Sequence, residues 1–114
     1  MIEIARIGAA IERFGPRFLN RIYTLGEQRY CRARVSELAV RFAAKEAVSK
    51  ALGTGMRGFG WRDIEVVTDP RGKPLIQLHG GALERAQTIG LGEYALSLSH
   101  SREFAIAVVV AIGV

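Results

Sequence analysis

Residues 41–55 of the chain read Arg-Phe-Ala-Ala-Lys-Glu-Ala-Val-Ser-Lys-Ala-Leu-Gly-Thr-Gly, and this stretch predicts a helix that runs into a glycine turn. Its charged and hydroxyl residues recur at steps of three and four, so they share one helical face. That face consists of Arg41, Lys45, Glu46, Ser49 and Lys50. The apolar residues fall on the opposite face, and they are Val40, Ala44, Ala47, Val48, Ala51 and Leu52. Gly53 and Gly55 end the helix, because glycine lets the backbone turn.

The polar face carries one carboxylate, Glu46, among three cations. This composition is expected of a site that holds a phosphorylated ligand and a hard divalent cation, which prefers oxygen ligands. The alternative is a solvated helix face, where Glu46 and Lys50 form an ordinary i, i+4 pair worth about 0.2–0.5 kcal/mol. The spacing alone leaves both interpretations open.

Length and composition narrow the class of protein. The chain has 114 residues, 49% of them hydrophobic, which predicts one domain and argues against disorder. Its longest apolar run, residues 104–114, is about half of what a membrane-spanning helix needs, and no secretion signal stands at the start. Cys31 is the sole cysteine, so no intrachain disulfide forms and a reducing, cytoplasmic location fits. The formal charge of +5 predicts an acidic partner.

Several function classes have no support in the sequence. One cysteine and two histidines far apart make no zinc site. The glycine signatures of dinucleotide-binding proteins and of P-loop proteins are missing. Nucleic-acid binding is a weak alternative, because the aromatic residues are not interleaved with the charges as base stacking requires.

The first part of the chain predicts short helices. An apolar stripe indicates the first of them, and it consists of Ile4, Ile7, Ile11 and Phe14. Gly15-Pro16 interrupts that helix and restarts it. Thr24 and Glu27 form a capping box, so another helix starts there and runs to about Arg34. Ser36 is placed to cap the central helix.

Beyond Gly55 the hydrophobic period changes from helical to alternating, which predicts strands. Residues 69–72, Asp-Pro-Arg-Gly, form a turn between two of them and make a hairpin. A short helix over residues 81–89 precedes the last two strands. The expected strands are residues 61–68, 75–78, 93–99 and 104–112, and the last of them is central in the sheet because it is apolar throughout.

Four arginines lie in the N-terminal segments, namely Arg6, Arg13, Arg17 and Arg21. They are either a plain solvated surface or a docking strip for a carboxylate-rich helix, since arginine binds carboxylates with two parallel hydrogen bonds.

Three further residues have two interpretations each. His79 ends a predicted strand and is structural or simply exposed. His100 lies in the turn Ser97-Leu98-Ser99-His100-Ser101, where a histidine is either exposed or functional. Lys73 is a solvated residue of the hairpin turn, or it borders a ligand site, an interpretation that comes only from the family resemblance described below.

Three motifs resemble one family. The string Phe-x-x-Lys-Glu-Ala-x-x-Lys-Ala followed by Gly-Thr-Gly, the Gly72-Lys73-Pro74 turn and the Ser-x-Ser-His-Ser motif are similar to those of the holo-acyl-carrier-protein synthases, the small bacterial 4'-phosphopantetheinyl transferases. The resemblance covers almost the whole chain. It implies a compact α+β 4'-phosphopantetheinyl transferase fold, with helices packed on a small antiparallel sheet. It also implies a homotrimer that serves fatty acid biosynthesis in the cytoplasm.

The same resemblance implies a reaction and its residues. The 4'-phosphopantetheine group passes from coenzyme A to a serine of apo-acyl carrier protein, and 3',5'-ADP is released. Glu46 binds Mg²⁺ and Lys50 lies against the pyrophosphate, so these two are the expected catalytic residues. The expected coenzyme-binding residues are Arg41, Phe42, Lys45, Ser49, Lys50, Gly53, Lys73, Pro74 and His100. The expected contacts with the acidic carrier protein are Arg6, Arg13, Arg17 and Arg21.

One departure from the family pattern concerns the start. The family begins with a short strand ending Gly-x-Gly-x-Asp, whose aspartate is a metal ligand, and that aspartate would fall one place before Met1. We therefore expect a single domain, residues 1–114, that lacks the family's N-terminal strand because it is truncated or degenerate. The alternative function is a degenerate member that binds coenzyme A or acyl carrier protein with little or no turnover.

Overall fold

The computed structural model describes residues 1–113 and contains helices and strands in mixed order. Along the chain they are β1 (Ile2–Glu3), α1 (Ile4–Phe14), α2 (Pro16–Ile22), α3 (Leu25–Cys31), α4 (Val35–Ala51), a 3-10 turn (Trp61–Asp63), β2 (Ile64–Thr68), β3 (Pro74–Leu78), α5 (Gly80–Thr88), β4 (Leu91–His100) and β5 (Phe104–Gly113). Val114, the last residue of the predicted domain, lies outside the described part.

Two antiparallel sheets support the helices. One has the order β1-β5-β4, with β5 in the centre, and the other is the β2–β3 hairpin. The central helix α4 packs against β5, β2 and β4. The α+β class, the hairpin and the central position of β5 are thereby confirmed. No helix within residues 1–113 is long and apolar enough to cross a membrane.

The beginning of the chain forms a short strand. Ile2 and Glu3 pair with Ala105 and Phe104 of β5. Both residues follow the position at which the family's Gly-x-Gly-x-Asp segment would end, so the predicted lack of that segment stays a prediction. Ile2 is buried, and the amide of Ile4 donates to the carbonyl of Glu103. Two residues suffice for a strand here because β5 offers an unpaired edge on that side.

Other element boundaries also differ from the sequence prediction. Trp61 begins a 3-10 turn rather than a strand, because the Asp63 carboxylate accepts a hydrogen bond from the Gly60 amide and curls the segment. Helix α3 stops at Cys31, since Arg32 and Ala33 adopt left-handed backbone angles. Helix α4 then starts one residue before Ser36, so that serine lies inside the helix and does not cap it.

Helix α4 is buried on both sides, which the two-face prediction missed. One apolar cluster packs its first half against α1, α3 and β5, and a second packs its end against β2 and α5. Residues expected on a solvated polar face are inside: Arg41, Lys45 and Ser49 are all buried. Ala51, expected on the apolar face, is exposed.

A buried ion pair joins three elements at the middle of α4. The Nζ of Lys45 lies 2.8 Å from Oε1 of Glu27, and both side chains are fully buried. Lys45 also donates to the carbonyls of Trp61 and Ile64. Glu27 in turn accepts from the amides of Thr24, which completes the predicted capping box, and of Val66 in β2. Helices α3 and α4 and strand β2 are thus held to one another by polar bonds through the core.

Two effects change the pKa of Lys45 in opposite directions. Burial lowers the pKa of its ammonium group below the ordinary value, while the charge and hydrogen bond of Glu27 oppose that change. A buried charge that keeps a close partner and further hydrogen bonds tolerates the loss of water, whereas one without a partner does not.

A second polar link holds the start of α5. His79 Nε2 lies 2.9 Å from Oε1 of Glu65, and the Thr24 hydroxyl donates to the other oxygen of that carboxylate. Burial raises the pKa of Glu65, but the hydrogen bonds from Thr24 and His79 outweigh it and hold the pKa below its ordinary value. The contact with Glu65 supports the structural interpretation of His79.

Replacing Lys45 by methionine should destabilise the protein by about 3–5 kcal/mol, because Glu27 then stays buried without a counter-charge. The double variant with Glu27→Gln should lose less than the sum of the two single losses. Urea unfolding of the three variants measures both quantities. Additive losses would show that the two side chains act independently.

Candidate functional site

A cavity of about 300 Å³ lies between the start of α4, the β2–β3 hairpin and the end of β4. We call it the Arg41 pocket, and its walls include Tyr30, Glu37, Arg41, Pro74, Ser99 and His100. Three residues expected to bind one ligand, Arg41, Pro74 and His100, come from distant parts of the chain and meet here. The fold therefore builds a concave site from them.

The guanidinium of Arg41 is held on several sides. Nη1 lies 2.8 Å from Oε2 of Glu37, and Nη2 donates to the Thr68 hydroxyl at 3.2 Å. The guanidinium carbon lies 4.5 Å from the centre of the Tyr30 ring. Its Nε is buried and has no partner among residues 1–113. Arg41 is thus a fixed, largely buried cation whose Nε–H is an unused donor.

His100 stands across the same pocket, as the exposed last residue of β4. Its Nε2 lies 3.9 Å from Oε1 of Glu37. The Ser101 hydroxyl accepts from the amides of Glu103 and Phe104 and so fixes the turn. The last serine of the Ser-x-Ser-His-Ser motif therefore has a local structural role.

Glu37 is a pocket residue that the sequence reasoning missed. Its carboxylate lies between Arg41 and His100, within 4 Å of both. The signal was available, because Glu37 precedes Arg41 by four residues on one helix, but such pairs are common on solvated helices.

The hairpin loop forms the outer rim of the pocket. The Asp69 carboxylate accepts from the amides of Arg71 and Lys73, and Gly72 takes a positive φ of 85° to close the turn. Gly72 and Pro74 line the cavity. Lys73 is exposed between them and is not among the lining residues.

The expected catalytic residues lie farther along α4. Glu46 is half-buried and Lys50 is exposed, and neither forms an ion pair within the described chain. The i, i+4 pair between them is therefore not formed. At 1.5 Å per residue, Lys50 lies about 13 Å along the helix axis from Arg41. Gly53 follows with a φ of 80°, a conformation that favours glycine.

Two of the expected coenzyme residues are turned inward, so the predicted solvated face is wrong at both positions. Lys45 is fully buried and its ammonium is occupied by Glu27 and two carbonyls, so it is an internal anchor. The Ser49 hydroxyl donates to the Glu46 carbonyl at 2.7 Å, and the residue is buried. Spacing on a helix cannot separate a buried polar residue from a solvated one, and this caused the error.

Phe42 belongs to a different concavity. Its ring stacks on Trp61 with 4.9 Å between the centroids. The two rings line a groove of about 400 Å³ together with Phe14, Phe18, Arg17 and Arg21, which we call the α2 groove. Of the predicted docking arginines, Arg17 and Arg21 edge this groove.

The other two predicted docking arginines lie outside the α2 groove. Arg13 lies over the exposed Phe14 ring, with 5.2 Å from the guanidinium carbon to the ring centre. Arg6 is exposed earlier on α1. All four arginines are exposed to solvent, so a basic surface runs along α1 and α2.

Residues 1–113 contain few side chains that are placed to bind a metal ion together. No cluster of three or more histidine, cysteine, aspartate or glutamate side chains is present in that range. Glu46 supplies one carboxylate without an ion-pair partner, which suits an ion that prefers oxygen and keeps several waters. The fit to a metal ion thus rests on this single carboxylate, and Glu46 stays the predicted magnesium ligand.

An apolar surface covers one side of the β4–β5 ladder. It consists of Ile106, Val108, Val110 and Ile112, which are 42–56% exposed. Their partners in β4 are Ser99, Ser97, Ala95 and Glu93, respectively. We call this surface the β5 face. An exposed apolar patch of this kind marks an interaction site.

Comparison with known proteins identifies the family. The sequence model of the 4'-phosphopantetheinyl transferase superfamily matches residues 2–109. The holo-[acyl-carrier-protein] synthase of Herpetosiphon aurantiacus is 48% identical over 99% of this chain and 94% of its own. That of Gloeobacter violaceus is 51% identical over 99% of this chain and 89% of its own.

A solved structure of the same family also matches this chain. The Helicobacter pylori holo-[acyl-carrier-protein] synthase, crystallised in complex with coenzyme A, is 37% identical and superposes with a TM-score of 0.88. The match covers 97% of this chain and 95% of that one. The chain therefore belongs to the holo-[acyl-carrier-protein] synthases of the 4'-phosphopantetheinyl transferase superfamily.

Proposed function

We infer that the chain transfers the 4'-phosphopantetheine group of coenzyme A to a serine hydroxyl of apo-acyl carrier protein and releases 3',5'-ADP. The observation that carries this function is the near-complete match to holo-[acyl-carrier-protein] synthases, one of which was solved with coenzyme A bound. The meeting of Arg41, Pro74 and His100 in one cavity supports the same function. We propose that the reaction takes place in the cytoplasm, where the buried Cys31 stays reduced.

We propose that the Arg41 pocket holds the nucleotide end of coenzyme A. Arg41 supplies a fixed positive charge and His100 a second donor, which suits the phosphate on the ribose. Pro74 borders the nucleotide from the hairpin, and the exposed Lys73 adds charge at the rim. Because Arg41 is already held by Thr68 and Tyr30, it loses little conformational entropy when the ligand binds.

The pyrophosphate lies, in this proposal, beside the second half of α4. Lys50 neutralises it from the exposed side, and Gly53 leaves room for the ligand at the end of the helix. Glu46 holds Mg²⁺, which when bound neutralises charge on the pyrophosphate. Since Arg41, Glu46 and Lys50 belong to one rigid helix, their separations along the ligand are fixed by the helical rise.

Incubating apo-acyl carrier protein with the protein, coenzyme A and Mg²⁺ should add the mass of one phosphopantetheine group to the carrier protein. Glu46→Gln should need more Mg²⁺ to reach half of its maximal rate, because one anionic ligand is lost. Mass spectrometry over a Mg²⁺ titration measures both. Binding of coenzyme A without any mass increase would instead support a degenerate, non-catalytic member.

His100→Ala should weaken binding of 3',5'-ADP roughly tenfold, the size of one charge-assisted hydrogen bond. The Mg²⁺ midpoint of the reaction should stay where it is, because His100 lies in the Arg41 pocket and not beside Glu46. Calorimetry and the Mg²⁺ titration separate these effects. A shifted Mg²⁺ midpoint with unchanged nucleotide affinity would contradict the assignment.

The carrier protein, we propose, docks along α1 and α2. The α2 groove has an apolar floor of Phe18, Phe42 and Trp61, with Arg17 and Arg21 at its edge. Such a groove suits an amphipathic helix that carries acidic residues beside apolar ones. Arg6 and Arg13 extend the basic surface beyond the groove and steer the acidic partner during approach.

Charge reversal at Arg21 should raise the KM for apo-acyl carrier protein and weaken its dependence on salt, because steering between unlike charges falls with screening. Arg29→Glu, on the exposed side of α3, makes the same change in net charge away from the groove and serves as the control. Initial rates at low and high ionic strength provide the comparison. Equal effects of both variants would place the docking surface elsewhere.

The β5 face supports a homotrimer, in which copies of the chain cover this apolar surface. Ser99 belongs both to the β4 side of this face and to the wall of the Arg41 pocket. A neighbouring copy seated on the face would therefore stand at the edge of the pocket. This arrangement would place the active sites between subunits.

Val108→Lys should break the assembly into monomers, because a charge is buried at the centre of an apolar contact. Leu25→Lys, at an exposed apolar position on α3, should leave the assembly intact. Sedimentation velocity reports the mass of each species. A wild-type protein that sediments as a monomer at working concentration would refute the trimer.

A further inference from the structure

The Arg41 pocket contains a negative charge where a phosphate is to bind. The Glu37 carboxylate contacts Arg41 at 2.8 Å and faces His100 at 3.9 Å. These are the two side chains that the proposed function gives to the ligand's phosphate. Glu37 therefore places its own oxygens beside the two side chains that the ligand's phosphate would contact.

The burial of Arg41 explains why the protein keeps this carboxylate. The Arg41 side chain is only 3% exposed, while that of Glu37 is 25% exposed. A cation so deeply buried is unfavourable without a counter-charge. Its remaining contacts, the Thr68 hydroxyl, the Glu37 carbonyl and the Tyr30 ring, carry no negative charge. In the free protein, Glu37 supplies that charge.

The Glu37 carboxylate is also able to turn away from Arg41. Within residues 1–113, Arg41 is the only hydrogen-bond donor to its carboxylate, since His100 Nε2 is 3.9 Å away, and the carboxylate lies at the solvent-facing side of the pair. A ligand phosphate can take over the Nη1 of Arg41 while the glutamate turns toward water. Binding then exchanges one anion for another instead of filling a vacant cationic site.

We propose that Glu37 is an internal counter-ion that competes with the ligand's ribose phosphate for Arg41 and His100, and so limits the preference for coenzyme A over dephospho-coenzyme A. The proposal rests on the proposed function, because it requires the nucleotide end of coenzyme A in this pocket. Glu37 acts on the ligand through Arg41 and His100, and is a specificity-determining residue for the transfer reaction.

Removing the charge should have two opposite effects. Glu37→Gln should lower the melting temperature of the free protein, because Arg41 loses its counter-charge. The same variant should bind coenzyme A and 3',5'-ADP roughly tenfold more tightly, about 1.4 kcal/mol, because no anion has to be displaced. Dephospho-coenzyme A lacks the competing phosphate, so its affinity should change less than twofold.

The experiment is calorimetry of wild type and Glu37→Gln with these three ligands. Glu84→Gln removes the same charge from the exposed side of α5 and is the matched control. The decisive readout is the ratio of affinities for coenzyme A and dephospho-coenzyme A, because a purely structural role would change both affinities together. If the glutamine variant does not fold, Glu37→Asp replaces it, because the shorter side chain keeps the charge but moves it away from Arg41. Its ratio of affinities should lie between that of wild type and that expected for Glu37→Gln.

The outcomes are separable. If the ratio of affinities for coenzyme A and dephospho-coenzyme A is unchanged, or if Glu37→Gln binds coenzyme A more weakly, Glu37 does not compete with the ligand's phosphate. Its role is then to orient Arg41. If wild-type affinity for 3',5'-ADP is indifferent to His100→Ala, the nucleotide does not occupy this pocket and the proposed site itself fails. Transfer rates at limiting coenzyme A should rise in Glu37→Gln in step with its affinity.

Discussion

The ion pair between Glu27 and Lys45 is the constraint on which the site depends. It fixes the rotation of α4 about its own axis, because the lysine must reach Glu27 and two backbone carbonyls at once. A change of one residue would rotate the helix by about 100°. With Lys45 directed into the core, Arg41 is directed toward the hairpin and the β4 end, and the functional side chains take their places relative to that anchor.

The helix thereby separates its charged residues by role. Lys45 is internal, Arg41 is nearly buried at a pocket wall, and Lys50 is exposed near the C-terminal end. The burial of each cation matches its role, because a buried cation is held in one orientation whereas an exposed cation is mobile and hydrated. This gradient along one helix lets a single element anchor the fold, hold a nucleotide and neutralise a pyrophosphate in the function proposed here.

Local patterns predicted what depends on local chemistry. The capping box of Thr24 and Glu27, the hairpin and the central apolar strand follow from neighbouring residues, and all three are present. The partner of Lys45 could not be predicted, because Glu27 lies eighteen positions away and its capping role already explained it. Glu37 was missed for a related reason: an i, i+4 pair with Arg41 looks the same in sequence whether solvent or a pocket surrounds it.

The proposed subunit contact and the proposed nucleotide pocket meet at β4. Its side chains alternate between the two sides of the sheet, so Ser97 and Ser99 lie on the side that also carries Val108 and Ile106 of β5. Leu98, on the other side, packs into the core against α4, and His100 follows at the strand end. Covering the β5 face would restrict the strand that carries His100. A monomeric variant should therefore lose nucleotide affinity as well as assembly, although the substituted residue never touches the ligand.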